Sequence, residues 1–587
     1  MMMKKIFTLM LMIAAAFSAQ AADWTFEWAH MYDSYPAAGD SPSKIKQLTD
    51  GNYVAMMMWG SRSDDTESGV FFDGTAVKDK NGQQITGGYY DTNLGNSLYQ
   101  NLCIQKIDAS TGEYLWTVYS DHGDFQAKHT SCDIEPTSDG GMLVLLQTRP
   151  WYSTDSATVL KVYDTTGEAY TITTDLTGHH MYKNIVMKLN ADGEMQWIKN
   201  IIDYTLIEDR KYYPTELVTT YDLCSDDEEN FYICGYFRST MNFTTSDGTT
   251  KSISADNVAS SWTGDVQTEN GDMFLLKFDK DGNFLDCITD EGTATGSRMH
   301  KMVFHDGKLY ISGYVNGTDG TNSLGGKTYE APAYQSPMIA SINTSDLSVN
   351  YVRVYASSST GGVHNMGVQY MEGSVYILGS VQAKGNFTDN GTTILTTTQK
   401  LYRPTVFKVN PEDGSCEASW WSSKKAIGEA SSIFMAVNET DTTYWVAHYD
   451  MTTGIAVTPL TLSGNTYTQG DQVTLVTFGT SAILPQCLLD GTSIVCFSRG
   501  GKANTTGVSA SFYGTDTTLT NNYAWSVVLS KFSYADIVDT GISAVSTDVQ
   551  VKKEGNNRIY NLQGQDVTGM SLNRGIYIKN GKKFVVK

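Results

Sequence analysis

One hairpin recurs along the chain and limits what it can fold into. Cys103-Ile104-Gln105-Lys106-Ile107 alternates like a half-buried strand, Asp108-Ala109-Ser110-Thr111-Gly112 supplies a tight polar turn, and Tyr114-Leu115-Trp116-Thr117-Val118-Tyr119 returns as a second strand. The same scheme runs through Ile185–Trp197, Met273–Leu285 and Thr405–Gly414. A second type, two short strands about an Asp-Gly or acidic turn, alternates with it, at Ile45–Met57, Cys132–Leu146, Leu217–Tyr236, Met302–Tyr314, Met366–Gly379, Ile433–Ala447 and Leu484–Phe497. One repeat is therefore four antiparallel strands, and seven repeats can be counted. The seventh ends at Trp525–Phe532 without a fourth strand, while Trp24-Thr25-Phe26-Glu27-Trp28-Ala29-His30-Met31-Tyr32 is a strand without a partner. The predicted fold is all-β: a seven-bladed β-propeller over 22–539, closed by the N-terminal strand, then a small C-terminal β module at 540–587.

The extreme N-terminus reads as an export signal over 1–21, with Lys4 and Lys5, an apolar run from Ile6 to Phe17, and Ala19-Gln20-Ala21 before the cut. That run is too short to cross a bilayer, and no transmembrane span is expected elsewhere. The expected address is the cell surface or the extracellular space, or the periplasm if the C-terminal module does not act. A net charge of -22 argues against nucleic acid as a partner. The eight cysteines form no C-x-x-C pair, against a zinc ribbon or a disulfide scaffold. Cys224 and Cys234 flank one hairpin turn, as cross-strand neighbours or as buried free thiols.

Strand parity places every tight turn on one face of the disc and the long connections between second and third strands on the other. Long loops on one face of a scaffold usually carry binding residues, so Trp151 and Trp262 in these connections are candidate ligand contacts. His129, His300 and His364 stand near the starts of first strands and are candidates for a shared polar site at the channel mouth. Aromatic planes beside hydroxyls and amides suit a glycan or a protein surface. Acidic turns such as Asp279-Lys280-Asp281-Gly282 lack the further ligands of a calcium loop. No catalytic residue, metal site or cofactor is assigned, since no nucleophile elbow, zinc-protease or phosphate-loop motif occurs.

Asp272-Met273-Phe274-Leu275-Leu276-Lys277 with Gly282-Asn283, following the Met241-Asn242-Phe243 ribbon, resembles the SBBP-type repeats of bacterial surface β-propellers. The hairpin from Asp108 to Trp116 is similar to quinoprotein-type propeller repeats. Asn557 to Val567 and Arg574 to Lys587, with Tyr560-Asn561-Leu562-Gln563-Gly564-Gln565 and Gly575-Ile576-Tyr577-Ile578-Lys579-Asn580-Gly581-Lys582-Lys583, resemble the C-terminal sorting module of Bacteroidetes proteins exported by the type IX system. The resemblance implies secretion machinery as a partner of the tail. The expected function is recognition of a glycan or protein ligand. A propeller enzyme, quinoprotein-like or carbohydrate-cleaving, and a structural surface protein remain alternatives.

Overall fold

A computed structural model describes residues 24–34, 41–59, 69–85, 101–120, 125–127, 132–150, 158–173, 183–204, 217–256, 271–292, 297–316, 320–423, 428, 430–437, 442–450, 454–479, 482–501, 507–521, 525–534, 559–561, 575–579 and 582–586. The chain separates into two compact units, Met1–Val545 and Ser546–Lys587. The described residues contain no helix, and nearly all regular structure is antiparallel strand.

Four consecutive strands form the building block of the larger unit. Ser41–Gln47, Tyr53–Trp59, Asn101–Ile107 and Tyr114–Ser120 pair in that order. The same order holds for Asp133–Pro136, Met142–Pro150, Lys183–Leu189 and Met195–Tyr204, and for Val218–Ser225, Phe231–Phe237, Asp272–Phe278 and Phe284–Gly292. Arg298–His305 opens the next sheet, followed by those of Gly362–Met371 and Ala430–Val437. In the last sheet Ala482–Asp490, Ser493–Gly501 and Trp525–Tyr534 are joined by Trp24–Ser34, paired from Trp24 opposite Tyr534 to Tyr32 opposite Val527 with one register shift between Phe26 and Trp28. Each first strand lies beside the first strand of the next sheet, and Ala482–Asp490 lies beside Ser41–Gln47. The half-buried reading of Cys103–Ile107 is corrected: second and third strands are covered on both faces and are almost wholly buried, as in Tyr53–Trp59, Asn101–Ile107 and Phe231–Phe237.

A tryptophan within the fourth strand is a wedge between sheets. Trp28 donates its indole N–H to the Ala109 carbonyl at 3.4 Å, and Trp116 donates to Ala191 at 3.3 Å, each bond reaching the turn of the following sheet. The turn glycine beneath is fixed twice over. Gly112 has φ +78°, and a Cβ on it would lie 2.5 Å from the Trp28 ring; Gly193, also at +78°, would place one 3.0 Å from Trp116. The left-handed backbone and the approach of the ring both exclude a side chain.

The long connections between second and third strands are not open loops where they are described. Thr158–Tyr163 with Ala169–Thr173 pairs onto the fourth strand of the preceding sheet, and so does Thr240–Thr244 with Thr250–Ser254. Gly320–Leu324, Gly385–Asp389, Val508–Phe512 and Val70–Phe72 dock likewise. In the sheet of Gly454–Ser463 the ribbon instead leaves the third strand and meets its neighbour in parallel, Ser419 opposite Thr466. These ribbons cover outer edges that would otherwise present unpaired backbone. Their aromatic residues go inward: Phe243, for example, is buried and stacks on Phe284 with centroids 4.4 Å apart. Pairing satisfies backbone groups that an open loop would leave to water.

The smaller unit holds a three-stranded antiparallel sheet, Ile559–Asn561, Gly575–Lys579 and Lys582–Val586.

Candidate functional site

The first strand of a sheet has one free edge, and the sequence manages it with a repeated irregularity. Register shifts fall between Pro42 and Lys44, Thr220 and Asp222, Met299 and Lys301, His364 and Gly367, Ala430 and Ser432, and Ile483 and Gln486. A bulge of this kind re-aims side chains and frees backbone groups. Neighbouring strands take up the freed groups. Asp133 accepts the Leu223 N–H at 3.3 Å, Asp222 accepts that of Met302 at 2.7 Å, and Gln369 accepts that of Ile433 at 2.7 Å.

In four successive sheets the residue at this level is charged, and the charges interlock. Lys44 lies 3.0 Å from Asp133 and 3.5 Å from Asp222, while Lys301 lies 2.6 Å from Asp222 and 3.8 Å from Asp133. Lys46 meets Glu135 at 3.1 Å. Burial and the adjacent Asp133 carboxylate outweigh the lysines at Asp222 and push its carboxyl up to about 7. At Asp133 burial also favours the neutral form, but Lys44 and Lys301 prevail and hold it well below the usual carboxylate range. Two buried carboxyl groups thus lie among two lysines, Asp133 favoured in its ionised form and Asp222 toward its neutral form.

A pH dependence follows. The unfolded chain loses the Asp222 proton near 3.8 and the folded chain near about 7, so this group's contribution to stability is complete below the lower value and is lost as pH rises through the window between them. Asp222→Asn, which keeps an oxygen to accept from Met302, is expected to flatten that decline in denaturation midpoints measured across the window. An unchanged slope would remove Asp222 as its source.

The bulged residues themselves face outward from this network and meet. The Tyr221 and His300 rings lie edge to face at 4.7 Å, and His300 sits 5.1 Å from Tyr314. Arg298 places its guanidinium 4.5 Å from the Tyr236 ring and 5.6 Å from that of Tyr314, and donates to the Tyr221 hydroxyl at 3.0 Å. Arg238 approaches the same Tyr236 ring at 5.2 Å. The next sheet contributes His364, stacked obliquely on Tyr402 at 4.2 Å. Burial, Arg298, Lys301 and His364 together drive the His300 imidazole down to about 3, so it is neutral at physiological pH. The result is a patch of tyrosine faces, two guanidinium groups and two imidazoles at the starting ends of adjacent first strands.

Of the residues expected at a site, His300 and His364 are brought together, on neighbouring sheets. His129, Trp151 and Trp262 lie outside the described residues. Among the described residues no group of three or more His, Cys, Asp or Glu has the geometry to hold a metal ion. Sequence reasoning missed Arg298, Arg238, Tyr221, Tyr236, Tyr314 and Tyr402. A signal for the charged level did exist: Lys44, Asp133 and Asp222 each stand seven positions before a turn residue of positive φ (Gly51, Gly140, Glu229), and Lys301 stands six before Gly307. The tyrosines carry no such mark, because tyrosine is equally frequent in the strands that form the core.

Antiparallel four-strand sheets set side by side through their first strands define an all-β protein of the β-propeller class. No family model matches the chain, and no curated protein matches it. Among solved structures it is similar to a europium-containing methanol dehydrogenase, with 10% identity and a TM-score of 0.35 over 88% of this chain and 94% of that one. It is also similar to the quinohemoprotein alcohol dehydrogenase from Comamonas testosteroni, with 10% identity and a TM-score of 0.27 over 78% and 76% of the two chains. A third is the xylan beta-1,4-xylosidase from Bacillus halodurans C-125, with 8% identity and a TM-score of 0.25 over 85% and 98%. At these values the likeness extends to neither activity nor ligand.

Proposed function

We propose that this protein is an exported seven-bladed propeller, closed by its N-terminal strand, that binds a carboxylate-bearing glycan at the mouth formed by Tyr221, Tyr236, Arg298, His300, Tyr314 and His364. The observation that carries the ligand class is the pair of guanidinium groups, Arg238 and Arg298, gathered on the single Tyr236 ring. A planar fork of donors matches a carboxylate, and tyrosine faces match the apolar faces of sugar rings. A patch of positive groups in a chain of net charge -22 also favours an anionic ligand over a neutral one. Closure is supported by the Trp24–Ser34 pairing and by Asp490, which accepts hydrogen bonds from Tyr53, from Gln47 at 2.8 Å and from Lys531 at 2.9 Å, joining the last sheet to the first. The sorting role of the tail, with the secretion machinery as its partner and the cell surface or medium as its destination, rests on the resemblance of Tyr560–Gln565 and Gly575–Lys583 to a sorting module.

Titration calorimetry of the mature protein with uronate-containing and neutral oligosaccharides of equal length tests the ligand class. Hydrogen bonds to charged groups contribute about 1.5–3 kcal/mol, so Arg298→Ala is expected to weaken uronate binding about 10- to 100-fold. Equal affinity for the neutral sugars, or an unaltered variant, would refute the assignment.

A further inference from the structure

The sequence left Cys224 and Cys234 as cross-strand neighbours or as buried free thiols, and both are free and buried. The register separates them: Cys224 stands opposite Tyr232, and Cys234 opposite Asp222. Such diagonal positions lie about 7–8 Å apart, beyond the reach of a disulfide. A different pair meets the requirement. Cys487 stands directly opposite Cys496 in the hairpin of Ala482–Asp490 and Ser493–Gly501, with the two sulfurs 4.0 Å apart. Directly opposed residues in an antiparallel pair have Cα atoms about 4.5–5.5 Å apart, inside the span a disulfide accepts, so rotation of the side chains suffices to bring the sulfurs to bonding distance. No other two cysteines face each other across the strand pairs of the described residues.

We infer that Cys487 and Cys496 are a disulfide-forming pair, oxidised by a small-molecule disulfide in the compartment to which the protein is exported. The half-buried Cys487 is the entry point, because it is the more accessible of the two and Cys496 is buried. The Cys487 thiolate attacks one sulfur of the oxidant and expels a thiolate. Cys496, losing its proton, then attacks the Cys487 sulfur of the mixed disulfide and expels the second. One S–S bond forms and one is broken; two electrons and two protons leave the protein, and the oxidant departs as two thiols. The bond would tie the free-edged first strand of the last sheet to the second strand, which pairs with Trp525–Tyr534 and through it with the N-terminal strand.

The test is exposure of the folded, mature protein to oxidised glutathione, then denaturation without reductant, thiol alkylation and peptide mass spectrometry. Two of the eight cysteines should escape alkylation, linked 487 to 496 and lighter by two hydrogens than the reduced form. Cys487→Ser should abolish that link and leave Cys496 alkylated, while Cys224→Ser should leave it intact. Full alkylation of all eight cysteines, a link between any other pair, or a link that forms only when the protein is unfolded first would overturn the inference.

Discussion

Trp28→Ala is expected to lower stability by about 3–5 kcal/mol, the range found when a buried aromatic ring is truncated. The indole fills the seam between the last sheet and the first: it is buried, lies over Gly112, packs against Tyr53 at 6.5 Å and bonds to the Ala109 carbonyl. Alanine leaves a cavity that the rigid turn below cannot close, because the Gly112 backbone is held in the left-handed region by the hairpin it caps. Denaturant midpoints give the loss, with Leu115→Ala as a control: that side chain is 52% exposed, and its removal should change stability by no more than about 0.5 kcal/mol. A Trp28 variant as stable as the Leu115 control would mean that the ring does not join the sheets. Phenylalanine at position 28 should fall between, keeping area and losing the hydrogen bond.

Lys44→Met carries a comparable expected loss by a different route. The substitution keeps most of the side-chain volume but removes the closest cation from Asp133, whose side chain has no exposure to water. Breaking a buried pair from one side leaves a charge without compensation, at a cost of about 3–5 kcal/mol. The low end is expected here, since Lys301 stays 3.8 Å from the same carboxylate. Adding Asp133→Asn should recover most of the loss, and that recovery separates charge from packing in a double-mutant cycle. If the double variant is as unstable as the single one, volume at position 44 matters and the ion network does not. The same comparison bears on function, because a weakened network beneath His300 and Tyr221 would also loosen the patch above it.

The strand plan was largely legible. Hairpins with turns at Asp50-Gly51, Asp139-Gly140 and Asp306-Gly307 follow from turn chemistry, which acts over a few residues. The site was legible only in fragments. His300 and His364 could be placed near strand starts by counting, yet Arg298 joins Arg238 on Tyr236 because the end of Phe231–Phe237 and the start of Arg298–His305, strands of two different sheets, lie together there. The connecting ribbons were readable as an aromatic, a turn and a return, but not as edge cover, since nothing local in Gly385–Asp389 shows that Ala356–Ser357 lies beside it.

By itself, then, the sequence determined the all-β class and the four-strand repeat, because short strand patterns and turn residues are properties of adjacent positions. The tertiary structure alone decided which tryptophan meets which glycine, how Lys44, Asp133, Asp222 and Lys301 share charge, and that Cys487 rather than Cys224 faces another sulfur. Those outcomes depend on register and on contacts between sheets far apart in the chain. A shift of one residue in register, which composition and local pattern barely resist at a bulge, would change every one of them.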